Sequence, residues 1–228
     1  MRLRQGGPLT FPDPRRYDHE GLVAVGGDLS PARLLLAYRS GIFPWYGEGY
    51  LPLWWSPDPR AAFDPACLHV SKSLAKCLRK KDFDLTWNRA FRAVMTACGE
   101  QRAAGTWILP EMVDAYERLH QRGAAHSLEV WRAGQLVGGI YGVQVGALFA
   151  AESMFHRATD MSKVALVALV RSVFAAGITL LDVQMPNDHL LGLGCRTVPR
   201  DEYLRLLAAV VDQPVELAGL VPSVDPGT

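Results

Sequence analysis

The chain has 228 residues, 49% hydrophobic content and a formal net charge of +1, enough apolar sequence for one large core or two smaller ones. Its longest unbroken apolar run, Val164 to Val170, is too short to span a bilayer, and the start Met-Arg-Leu-Arg-Gln-Gly-Gly7 lacks the apolar centre of a signal peptide. Membrane insertion and export are therefore not expected, and a cytoplasmic protein is. Cys67, Cys77, Cys98 and Cys195 show no CxxC pair or other metal-ligand spacing, so reduced thiols and no structural zinc are expected.

In chain order, the first clear helix has Ser30 as N-cap, Pro31 in its first turn and Gly41 as terminator. Tyr38 lies in its last turn. Ile42-Phe-Pro-Trp-Tyr46 and Leu53-Trp-Trp-Ser-Pro-Asp-Pro-Arg60 then place three of the six tryptophans in proline-stiffened loops. Trp54 and Trp55 read as a small aromatic core; Trp45 fits either a core or a stacking platform. Between Pro65 and Lys81 there is no acid, and Ser71 caps a helix with Lys72, Lys76, Arg79 and Lys80 on one face. Without interleaved acids, that face reads as a contact for a phosphate backbone.

Asn88 is the expected cap of an amphipathic helix with Phe91, Val94, Met95 and Cys98 inward, and Pro110 opens another that ends before Gly123. Trp107 lies in the connector between them, either packing helix on helix or held there for a ligand. From His126 a three-stranded meander is expected over Ser127–Trp131, Leu136–Val145 and Ala147–Phe155. Gly138, Gly139 and Gly142 inside its second strand call for a bulge or a close approach of another group. A helix from Met161 to Ala176, apolar nearly all round and capped at Thr159-Asp160, should be buried on the sheet and stopped by Gly177. Ile178 to Gln184 reads as a strand running into a Pro-Asn-Asp turn, followed by a glycine-rich turn at Gly192 and Gly194. Pro199 opens a last helix through Val211, and Pro214 to Thr228 is expected to be a loose tail.

Strand alternation places Glu152 with His156 on one face, and Asp182 with Gln184 on one face of the next strand, so that four polar groups could meet at one sheet edge. Carboxylates near strand ends in an apolar sheet are rare unless paired. A site is therefore expected there.

Several motifs occur together: Gly-Gly-Asp-Leu-Ser-Pro31, Gly-Ile-Phe-Pro-Trp45, Trp-Trp-Ser-Pro-Asp-Pro-Arg60, Gly-Thr-Trp-Ile108, His-Ser-Leu-Glu-Val-Trp131, Glu-Ser-Met-Phe155 and Asp-Val-Gln-Met-Pro-Asn-Asp-His189. In this order they closely resemble the bacterial leucyl/phenylalanyl-tRNA–protein transferases over nearly the full length. The resemblance implies an α+β fold: a small N-terminal domain, residues 1–62, then a GNAT-like acyltransferase domain with a mostly antiparallel sheet, residues 63–228. It implies transfer of Leu or Phe, and possible transfer of Met, from aminoacyl-tRNA to proteins with N-terminal Arg or Lys, marking them for N-degron degradation. No cofactor, metal or membrane is implied, and a monomer is expected.

Carried over by position, Gln184, Asp182 and Glu152 are the implied catalytic residues. Ile140, Phe149, Met154, Leu169 and Leu181 are the implied aminoacyl pocket. Tyr38, Trp45 and Trp107 would hold the 3′-terminal adenosine, and Lys72, Lys76, Arg79 and Lys80 the tRNA stem. The reaction is aminolysis of an already activated ester, so alignment matters more than acid-base strength. A carboxamide such as Gln184 can orient the attacking amine through its carbonyl oxygen, with Asp182 polarising or fixing the amide and Glu152 attracting a cation. Three other classes stay open: a CoA-dependent N-acyltransferase, opposed by the absence of glycine in Phe155-His-Arg-Ala-Thr-Asp160; an RNA-binding module without catalysis; and a metal site from Glu152, His156, Asp182 and His189.

Overall fold

The computed structural model describes residues 1–100 and 105–225. Four short strands, β1 (Arg2–Leu3), β2 (Leu22–Gly26), β3 (Phe43–Pro44) and β4 (Leu53–Trp55), form a small sheet in the order β1-β2-β4-β3. Between β2 and β3 lies α1 (Pro31–Arg39), whose Ser30 cap accepts from the Arg33 amide. Trp54 and Trp55, expected in a loop, form β4; the Trp54 indole is fully buried because its N–H donates to Gly26 O at 2.8 Å.

The rest of the chain runs β5 (Arg60–Phe63), α2 (Lys72–Lys80), β6 (Asp84–Trp87), α3 (Phe91–Glu100), α4 (Pro110–His120), β7 (Ala125–Arg132), β8 (Gln135–Val145), β9 (Leu148–His156), α5 (Met161–Ala175), β10 (Leu180–Gln184), α6 (Asp188–Gly192), β11 (Arg196–Val198) and α7 (Arg200–Val210). Its seven strands make one sheet in the order β11-β5-β10-β9-β8-β7-β6. Only the β9–β10 pairing is parallel, so this α+β fold has a mostly antiparallel large sheet. The position 62/63, where the sequence division falls, lies within β5.

Alternation along β8 separates the two faces of the sheet. Ile140 belongs to the apolar cluster with α5, whereas Tyr141, Val143 and Val145 belong to the cluster with α3, α4, α7 and the N-terminal sheet. The small sheet thus shares a core with the large one. Helix α5 is buried nearly all round, as its composition requires, and it approaches β8 so closely that a Cβ on Gly138 would lie 2.7 Å from Met161 Cβ.

Several local expectations are corrected. Asn88 does not cap α3: its side chain accepts from the Ser127 amide and bonds His126, while the buried Glu129 carboxylate accepts from the amides of Arg89 and Ala90. Asp160 precedes α5 in a left-handed conformation, and its side chain pairs with Lys163 instead of capping the helix. The stretch from Pro214 is not loose through residue 225. Trp87 donates to Leu217 O at 2.9 Å, Gln144 to Val215 O at 2.8 Å, and Leu217 and Val224 are buried. Residues 226–228 of that tail lie outside the described residues. Strands β5, β6 and β11 and helix α6 were not expected; each has five residues or fewer, too short for a period to show.

Candidate active site

Strands β9 and β10 run in register as far as Ala150 and Asp182. Beyond that pair they part. Two bulges shape the gap. On β9, Ser153 pairs Tyr141 and Ala151 pairs Gly142, so Glu152 is the extra residue; on β10, Val183 is skipped between Asp182 and Gln184. Gln184 itself sits at φ +62°, a left-handed conformation that is costly for a residue with a Cβ.

Both departures cancel the simple alternation expected from sequence. Glu152 and His156 do not act together: His156 is exposed and bonds Ser162 Oγ at 3.3 Å, and it does not line the cavity described below. Asp182 and Gln184 are coupled through the backbone, not side chain to side chain. The Asp182 carboxylate is completely buried and accepts four hydrogen bonds: from Arg60 Nε at 2.9 Å and Nη2 at 2.7 Å, from Tyr203 OH at 2.9 Å, and from the Gln184 amide at 2.9 Å. That set saturates its lone pairs. Asp182 therefore pins the strained backbone of Gln184, and Arg60 holds Asp182.

The Gln184 side chain turns the other way, its Nε2 donating to Glu152 Oε1 at 2.5 Å. Because the nitrogen end faces Glu152, the carbonyl oxygen faces away from it. Behind Glu152 stand two buried tyrosines whose hydroxyls are 2.5 Å apart, Tyr38 and Tyr116. Burial and the Glu152 charge hold both phenols well above their ordinary pKa, so they remain neutral. Burial likewise pushes the Glu152 carboxyl up to about 7; the Tyr38 hydrogen bond opposes this, the Asp182 charge adds to it, and the Gln184 bond and Arg60 oppose it.

The parted strands open onto a cavity of about 470 Å³, within the range of small-molecule sites. Glu152, Ser153, Gln184 and Asn187 supply its polar side; Ile140, Met154, Leu166, Val183 and Leu190 form an apolar recess; Trp45 and Trp107 line it from elsewhere in the chain. Ile140 and Met154 are direct cross-strand partners. Phe149, Leu169 and Leu181 are buried core residues that do not line the cavity. The Phe149 ring packs over Gly142, where a Cβ would lie 2.4 Å from it, and beside Trp87 and His126. Tyr38 also lies outside the lining. Lys72, Lys76, Arg79 and Lys80 are all exposed on α2, with Leu74 and Leu78 buried beneath. None of the four is in an ion pair among the described residues.

Sequence reasoning missed Arg60, Tyr116, Leu166, Val183 and Tyr203. Leu166 was hidden because a helix apolar all round gives no sign of which side meets a cavity. Arg60 and Tyr203 lie far from Asp182 in the chain, and no spacing links them. Among the described residues, no group of three or more His, Cys, Asp or Glu is placed to hold a metal ion, and no helix is long and apolar enough to cross a membrane.

The site thus joins a strained glutamine, held through its backbone by the Asp182 carboxylate and through its side chain by that of Glu152, to an apolar recess in an α+β fold. Comparison with known proteins gives the particular family. The model of the leucyl/phenylalanyl-tRNA protein transferase matches residues 62–208, and that of its N-terminal domain residues 27–58. A leucyl/phenylalanyl-tRNA–protein transferase of Pseudomonas paraeruginosa is 54% identical over 203 residues, 88% of this chain and 90% of that protein. Its counterpart in Azotobacter vinelandii is 51% identical over 214 residues, 92% of this chain and 95% of that protein. The chain belongs to the leucyl/phenylalanyl-tRNA protein transferase family. Among solved structures, a GCN5-related N-acetyltransferase from Kribbella flavida aligns with TM-score 0.39 and 13% identity over 75% of this chain and 61% of that chain.

Proposed function

We propose that this chain transfers Leu, Phe or Met from aminoacyl-tRNA to the N-terminal Arg or Lys of a protein, by ester aminolysis, and so marks that protein for N-degron degradation. The division of labour proposed is an N-terminal domain to about residue 62 and a catalytic domain after it. The observation that carries the reading is the Gln184 amide: its nitrogen is fixed on Glu152, its backbone is fixed by Asp182, and its carbonyl oxygen is left to accept an N–H from an attacking amine.

In the proposed reaction the acceptor's neutral α-amine attacks the ester carbonyl carbon. The C–N bond forms, the bond to the tRNA 3′ oxygen breaks, and that oxygen takes the amine's proton. Gln184 orients the amine, Asp182 holds Gln184 in place through its backbone, and Glu152 sets the direction of the carboxamide. Ile140, Met154, Leu166 and Val183 take the aminoacyl side chain; in an apolar pocket one methylene is worth about 1–3 kcal/mol, so shape suffices to prefer Leu and Phe over Val. Trp45 and Trp107 flank the adenosine, and the exposed cations of α2 meet the tRNA backbone.

Incubation with Phe-tRNA and a peptide beginning with Arg tests this directly. N-terminal Phe should appear on the peptide and vanish after RNase treatment. Transfer from an acyl-CoA instead, or none from Phe-tRNA, would sink the reading.

A further inference from the structure

An acceptor that begins with Arg or Lys brings a second positive charge besides its amine, and Glu152 is poorly suited to hold it. That carboxylate is already engaged by Gln184 and Tyr38 and is partly protonated near neutral pH. Among the described residues it is also the only side chain with an acidic or basic group lining the active-site cavity.

A second cavity of about 290 Å³ adjoins the first, lined by Glu20, Trp45, Trp55, Pro57 and Met185. Trp45 and Met185 line both. Trp45 is therefore a partition, and Met185, the residue after Gln184, leads from the point of amine attack into the smaller space. Its aromatic wall is fixed: the Trp45 and Trp55 rings meet edge to face at 5.9 Å, and Trp55 Nε1 donates to Trp45 O at 2.7 Å. Glu20 is exposed, and among the described residues its carboxylate enters no hydrogen bond or ion pair.

An uncommitted carboxylate beside two indoles, with otherwise apolar walls, is the chemistry that receives a cation on an aliphatic stem. The stem packs against Met185 and Pro57, and the charge meets Glu20 and an indole face. We propose that this cavity is the subsite for the basic side chain of the acceptor's first residue. The inference rests on the reading above that the acceptor begins with Arg or Lys, and it assigns Glu20, Trp55 and Met185 to acceptor selection.

The test uses the full chain, saturating Phe-tRNA, and two peptides identical except for a first residue of Arg or of citrulline, which has nearly the same shape without the charge. Glu20→Gln should raise KM for the Arg peptide about tenfold, equivalent to about 1.4 kcal/mol. It should leave KM for the citrulline peptide and for Phe-tRNA where they were, so that the two peptides converge. Trp55→Leu should raise KM for the Arg peptide more than for the citrulline peptide. If the wild type distinguishes the peptides and Glu20→Gln does so equally, within twofold, the subsite is wrong and the functional reading stands. A rise confined to the Phe-tRNA KM would assign the cavity to the nucleic acid and overturn the subsite. If the wild type transfers Phe to neither peptide, the functional reading fails and the subsite with it. Thermal melts of each variant separate loss of binding from loss of fold.

Discussion

At Glu152, burial raises the carboxyl from 4.5 to about 7 against the pull of Tyr38 and Gln184. The unfolded chain releases this proton near 4.5 and the folded chain near 7, so between those values the folded state holds more protons. Stability from this group therefore falls as pH rises from about 4.5 to 7 and is level above that. Glu152→Gln should flatten the fall, by up to about 3 kcal/mol between pH 5 and pH 8, in urea unfolding at the two pH values. The ionised carboxylate is also what accepts the Gln184 N–H. The single-turnover rate of the wild type should thus rise through pH 7, and Glu152→Gln should keep only the inflection of the acceptor amine, at about 8. If Gln184 orients the amine as proposed, Gln184→Ala should cut the single-turnover rate by about a hundredfold with KM for aminoacyl-tRNA unmoved.

The elements that matter are the end of β10 and the surface of α2. At β10, a bulge and a left-handed glutamine are held by the Arg60–Asp182 pair, in which all the carboxylate's acceptor positions are filled. Asp182→Asn leaves a buried guanidinium without its counter-charge and should cost about 3–5 kcal/mol. Joining Arg60→Met to Asp182→Leu should recover most of that stability without recovering activity, since the Gln184 amide still lacks its acceptor. Chemical denaturation and single-turnover transfer, measured on the same three proteins, separate the two effects. For α2, replacing Lys72, Lys76, Arg79 and Lys80 by Gln should make the log–log salt dependence of tRNA binding shallower by roughly three, at little cost in stability because all four are exposed.

In the whole molecule the cavity is assembled from two sheets. Trp45 follows the N-terminal strand β3, whereas Glu152 and Gln184 belong to the large sheet. Arg60 reaches Gly41 O at 3.0 Å, and Arg200 at the start of α7 donates to Asp18 O, Ser56 O and Tyr17 O at 2.9, 2.7 and 2.6 Å. These contacts fix one wall against the other. Arg200→Met, which lies outside the cavity, should raise KM for aminoacyl-tRNA by loosening the Trp45 wall, and should lower the melting temperature measurably.

The sequence by itself determined the helices whose ends carry local signals, α1 with its Ser30 cap and α4 with Pro110 in its first turn, and the β7–β9 meander, whose strands pair with their neighbours in the chain across short turns. It also brought Gln184, Asp182 and Glu152 to one place, where the structure joins them through Gln184, and marked the exposed basic face of α2. Tertiary structure decided how those three are arranged. Two bulges broke the two-residue alternation that had placed Glu152 with His156, and Arg60, 122 residues from Asp182, took the carboxylate that had been assigned to the Gln184 side chain. It also chose Leu166 and Val183 over Leu169, Leu181 and Phe149 for the recess, a choice periodicity cannot make on an all-apolar helix or at a strand that leaves its neighbour. Local interactions are written in the order of the chain; which buried charge meets which, and which face opens on a cavity, depends on residues that only folding brings together.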